Sequence, residues 1–144
     1  MIGETYHLEQ ADDLRYFYFL SEGSKGLIPK VVVYDYTRRN TYNLGFGDLR
    51  GGRIDDKVVS DNDDLSKVLN TVAKTVYLYT NLYPDRKIEI KPVDERRYRV
   101  YNRIFRRRFE EIKPNFIVQG LTKTGWEDYK PEKDYLGFEL TRQK

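Results

Sequence analysis

Seven arginines fall within thirteen residues, namely Arg96, Arg97, Arg99, Arg103, Arg106, Arg107 and Arg108, with no acidic residue between them. The 144-residue chain has a formal charge of +3, so removing these seven leaves −4 for everything else. Basicity confined to one segment marks a surface that meets anions. Guanidinium forks match phosphate geometry, and each phosphate neutralised releases counterions. The competing reading is a solvated face paired with carboxylates from elsewhere. Other chemistry has little to stand on. His7 is the only histidine and cysteine is absent, so a histidine-based triad or zinc site would rest on His7 alone. A metal-independent ribonuclease built from Arg, Lys, Tyr and Glu needs neither and stays an alternative.

Three weaker constellations have plainer explanations. Asp61, Asp63 and Asp64, with Asp55 and Asp56 nearby, lack the glycine and distal glutamate of a calcium loop, and helix capping accounts for them better. Gly45-Phe46-Gly47-Asp48 and Gly51-Gly52 open no helix in a phosphate-loop pattern, so a bulge and a turn are expected there. Asp85 and Glu89-Ile90-Lys91 have the residue types of a metal-dependent nuclease core. Only three residues separate Asp85 from Glu89, so the two cannot come from neighbouring strands, and the match is discounted. No catalytic residue, metal site or cofactor is expected.

The elements that must carry these residues follow from periodicity. Arg15 to Ser21, Leu27 to Tyr36, Thr41 to Asp48 and Ile54 to Ser60 alternate with period near two between turn signals, which predicts an antiparallel meander. Tyr16 and Tyr18 share one side of the first strand, opposite Phe17 and Phe19. Exposed tyrosines beside Lys25 and Lys30 would form a stacking platform for unpaired bases; a two-sided core is the alternative. Asp61-Asn62-Asp63-Asp64 can cap a helix from about Asp64 to Leu82, whose apolar stripe is Leu65, Val68, Leu69, Val72, Val76 and Tyr79. Arg86 to Lys91 reads as a strand. Asp94 then caps a helix from about Glu95 to Glu111, with Tyr98, Tyr101, Phe105, Phe109 and Ile112 on one side. Arg96, Arg99, Arg103, Arg106 and Arg107 fall on the other. Phe116 to Leu121 and Tyr135 to Leu140 are expected as last strands, separated by a loop carrying Trp126.

Length and composition suit one domain over residues 1–144, burying roughly 70% of its unfolded surface. Aromatics at 15% argue against disorder. No apolar run approaches a membrane span and no signal peptide opens the chain, so a cytoplasmic protein without membrane contact is expected.

Two resemblances add to this. Phe19 to Val31, Tyr42 to Asp48, Asp61 to Asp64, the helix end at Tyr83-Pro84, Arg99-Val100-Tyr101 and the Trp126 region look like an uncharacterised family of short Bacteroidetes proteins. That resemblance implies a bacterial cytosolic protein and supplies no activity. Residues 14–83, four strands and then a helix, resemble the PUR repeat and more loosely the whirly single-strand-binding fold. Lys25-Gly26-Leu27-Ile28-Pro29-Lys30-Val31 is similar in spacing to the PUR run, and the resemblance implies backbone contacts for Lys25 and Lys30. Leu27 and Pro29 depart from that pattern. PUR domains pair two repeats, which implies a homodimer or a substitute built from residues 86–144.

The sequence therefore predicts an α+β domain: a twisted antiparallel sheet crossed by one helix, with a second basic helix and further C-terminal strands. The expected function is non-catalytic binding of single-stranded nucleic acid or another polyanion. Arg96, Arg99, Arg103, Arg106, Arg107, Lys25 and Lys30 would hold phosphates, and Tyr16 or Tyr18 would stack on bases. The rival is an acidic protein partner, as in a toxin–antitoxin-like pair.

Overall fold

Alternating side chains and tight turns build most of this molecule, in a computed structural model that describes residues 3–50, 53–55 and 62–143. The chain gathers into two compact units, Met1–Asp35 with Leu44–Tyr83, and Tyr36–Asn43 with Pro84–Lys144. The division at Tyr83-Pro84 falls where the proline ends the helix, and residues 36–43 group with the later unit.

In the first unit, β1 (Glu9–Ala11) pairs antiparallel with β2 (Tyr16–Gly23), and β2 pairs antiparallel with β3 (Gly26–Arg38). β3 neighbours β4 (Thr41–Arg50), which pairs antiparallel with β5 (Arg53–Asp55). The outer ends of β3 and β4, residues 36–43, belong to the second unit. The first three strands of the expected meander are present and the fourth begins at β5, with β1 as an unforeseen addition. Gly51-Gly52, Asp56, Asp61 and the expected strand beyond Asp55 lie outside the described residues.

Helix α1 (Leu65–Leu82) buries Val68, Thr71, Thr75, Val76, Tyr79 and Thr80. Leu65, expected on the buried stripe, is 55% exposed. Threonines serve here as small apolar residues, because their hydroxyls bond carbonyls one turn back, Thr71 to Lys67 O and Thr80 to Val76 O, both at 2.7 Å. Tyr34 of β3 stacks on Tyr79 with centroids 4.0 Å apart and meets Thr75 Oγ1 at 2.9 Å. Phe17, Phe19, Val32 and Tyr34 make the core of this unit.

The expected cap of α1 is corrected. Asp64 makes no side-chain cap hydrogen bond, and the first turn holds no acidic residue. Its carboxylate instead accepts from Ser21 Oγ and Tyr6 Oη, both at 2.5 Å. Asn62, fully buried, accepts from Lys25 N and donates to Gly26 O and Ser21 Oγ. The polar run ties the β2–β3 turn to the helix start, a tertiary task that takes the Asp64 carboxylate away from the helix amides.

In the second unit the outer end of β4 pairs in parallel with β6 (Lys87–Ile90). Then come β9 (Phe138–Arg142), β7 (Phe116–Thr122) and β8 (Gly125–Asp128), all antiparallel to their neighbours. β8 occupies the stretch expected to be a loop around Trp126. α2 (Glu95–Ile112) packs on this sheet, with Phe105 stacked on Phe138 at 4.0 Å. Asn102 locks it there, donating to Tyr135 O at 3.0 Å and accepting from Tyr135 N at 2.7 Å. No helix among the described residues is long and apolar enough to cross a membrane.

Candidate anion-binding surfaces

The arginines of α2 divide by what holds them. Arg97 is buried, its backbone N–H and guanidinium both bonded to the Asp94 carboxylate at 2.8 and 2.6 Å. That backbone bond, followed by the nearby guanidinium, holds the Asp94 carboxyl below the usual carboxylate range. Arg106 ties the helix to the loop between β8 and β9, donating to Pro131 O at 2.9 Å and Asp134 Oδ1 at 2.5 Å. Arg99 faces Glu95 at 3.4 Å, and Arg108 lies 4.0 Å from Glu111. Arg96, Arg103 and Arg107 are exposed. Arg103 and Arg107 have no ion pair among the described residues. At 100° per residue, positions 96, 103 and 107 fall within about a 40° arc, spanning about 16 Å of helix.

The remaining sequence-predicted residues lie in the first unit, so the two halves of the expected site belong to different compact units. Lys25 is exposed, as a phosphate contact requires. Lys30 is not: its side chain is 1% exposed and paired with Asp48, itself 1% exposed. It is withdrawn from the contact set, because β3 register turns it to the same side as Phe19 and Val32. Tyr16 and Tyr18 are half-buried and stacked on each other, centroids 6.3 Å apart, with the Arg15 guanidinium over Tyr16.

A second charged site, absent from the sequence expectations, lies on the second unit's sheet. Strand alternation places Ile88, Ile90, Phe138, Leu140 and Val118 toward α2. Glu89, Lys91, Glu139 and Gln119 take the opposite face. Glu89 stands directly across from Glu139, and Glu139 from Gln119. Both carboxylates are buried, at 2% and 7% side-chain exposure. Lys91 Nζ reaches Glu89 Oε1 at 2.7 Å and Arg38 Nη2 reaches Glu89 Oε2 at 2.8 Å. Lys87 Nζ lies 3.7 Å from Glu139 Oε1. A pocket of about 470 Å³ opens beside them, lined among others by Arg39, Thr41, Leu121 and Trp126. The carboxylate that does face Glu89 comes from fifty residues on, and no spacing rule could have found it. Among the described residues no three acidic or histidine side chains gather to hold a metal.

Residues 3–143 match the model of a family of unknown function, DUF6934. No curated protein and no solved structure matches the chain.

Proposed function

We propose, from the premise that this chain belongs to DUF6934, a family of unknown function, that it binds single-stranded nucleic acid through the outer face of α2, without catalysis. The observation that carries the reading is the exposed stripe of Arg96, Arg103 and Arg107, two of which have no ion pair among the described residues. A merely solvated face would be expected to meet carboxylates, as Arg99 and Arg106 do. A stripe of about 16 Å matches the length over which one strand of a duplex carries about five phosphates. Lys25 and the half-buried Tyr16–Tyr18 pair belong to the same proposal as phosphate and base contacts. The chain order β2, β3, β4, β5 and α1 agrees with the likeness to a PUR repeat. Residues 84–143 run strand, helix and three strands, so any second repeat comes from another copy. The reading places the protein in the bacterial cytoplasm.

The test is fluorescence polarisation with labelled single-stranded and duplex oligonucleotides at two salt concentrations. Reversing Arg103 and Arg107 to Glu should weaken single-strand binding and flatten its salt slope by about two phosphate contacts. An unchanged affinity and slope would remove α2 from the interface. Salt-insensitive binding to an acidic protein, with none to oligonucleotides, would favour the protein-partner alternative.

A further inference from the structure

The pocket beside Glu89 and Glu139 has a charge arrangement that structural pairing alone leaves unexplained. Two like charges directly opposite on adjacent antiparallel strands repel, and burying ion pairs on a sheet face commonly gives less stability than apolar side chains would. What the arrangement does achieve is position. Arg38 comes from the end of β3, Lys87 and Lys91 from the two ends of β6, and the two carboxylates hold their charged ends over one spot while each cation stays about half exposed. Among the described residues Glu89 Oε2 has no hydrogen bond, despite Arg38 Nη2 at 2.8 Å. Arg38 therefore meets it as a charge out of line, and its N–H donors remain available to another acceptor.

With Arg39, which has no ion pair among the described residues, four cations face the two buried carboxylates, and the exposed Asp128 beyond Gln119 still leaves the site an excess of positive charge. A phosphate monoester carries a charge near −2 at neutral pH, and guanidinium and ammonium groups are its usual partners. Trp126 and its cross-strand partner Leu121 supply a flat apolar wall, against which an aromatic ring can stack. The Gln119 amide, only 3.4 Å from Asp128 Oδ1, stands at the edge with donor and acceptor capacity. About 470 Å³ lies within the range of small-molecule pockets.

We infer that this pocket binds a phosphate monoester bearing an aromatic ring, with a nucleoside monophosphate, free or at the phosphorylated end of a strand, as its ligand class. The phosphate lies among Arg38, Arg39, Lys87 and Lys91, and the base lies on Trp126. Glu89 and Glu139 are positioning residues that orient the cations. The site is separate from the α2 ridge, since it opens on the sheet face that α2 does not cover.

Trp126 is the only tryptophan, so its fluorescence reports on this pocket alone. The full chain carrying Arg103→Glu and Arg107→Glu, with the ridge silenced, is titrated with adenosine monophosphate, adenosine, inorganic phosphate and a short strand with or without a terminal phosphate. Saturable quenching by adenosine monophosphate or the phosphorylated strand, weakened by salt and at least about tenfold weaker for the other three, is the expected result. Whichever phosphorylated ligand binds more tightly identifies the source. The variant Arg39→Ala/Lys87→Ala should lose at least about tenfold in affinity with an unchanged far-ultraviolet spectrum. If it misfolds, Arg39→Ala alone, which breaks no ion pair, takes its place. Absence of saturable quenching by both phosphorylated ligands, equal quenching by adenosine, or full affinity in the folded variant would overturn the inference.

Discussion

Lys30 and Asp48 form a pair almost wholly removed from water, in contact with Phe46 on the helix side of the first unit's sheet. Removing one partner strands a charge, so Asp48→Ala should cost about 3–5 kcal/mol in urea unfolding. The double change Lys30→Met/Asp48→Leu should recover most of it; a double variant as unstable as the single one would show that the pair is not the reason. Tyr135 is a second telling residue. Burial, and then the hydrogen bond its hydroxyl gives Glu127 Oε2 at 2.8 Å, push it up to about 12 from 10.0. A raised pKa means the fold favours the neutral phenol. Its contribution is intact below pH 10, the unfolded value, and is lost as pH rises towards about 12. Unfolding free energy measured across that window should fall, and Tyr135→Phe should make the fall shallower. Tyr34, Tyr6 and Tyr129, each raised first by burial, keep the rest of the slope.

The two long helices start in opposite ways. Asp94 accepts from Arg97 N as a true N-cap, whereas Asp64 turns away to Ser21 and Tyr6. Asp94→Ala should therefore lower stability, read as a shift in thermal midpoint with the fold intact. The strands show the complementary constraint. A Cβ on Gly120 would lie 2.3 Å from the Tyr135 ring, which is fully buried and cannot retreat. Gly120→Ala should cost about 1–3 kcal/mol by overpacking, and thermal unfolding will show whether it does. Period made most elements legible: both helices and the first three strands of the meander stand where the 3.6-residue stripe and alternation put them. β1 and β8, three and four residues long, escaped because so short a run has no readable period. They exist because a longer neighbour offers its edge.

Across the molecule, the α2 ridge and the sheet pocket are expected to act independently, being on opposite faces of the second unit's sheet. Lys87→Ala should leave the salt slope of strand binding unchanged while weakening the mononucleotide, and Arg103→Glu should do the reverse. Polarisation and Trp126 fluorescence on the same two variants test this directly. Loss of both signals in either variant would mean one shared site.

The sequence by itself determined the local features: the segregation of arginine from aromatic residues on α2, the Asp94 cap, the alternation that separates Tyr16 and Tyr18 from Phe17 and Phe19, and the class of the fold. Each depends on neighbours within a turn or along a strand, where spacing is geometry. Only the tertiary structure decided which charges are spent. It withdrew Lys30 into the core, tied Arg97 and Arg106 to carboxylates, and left Arg103 and Arg107 without an ion pair among the described residues. It also set Glu139 across from Glu89 beneath Arg38. Ion pairing is decided by distance in space, and register between strands far apart in sequence leaves no periodic trace.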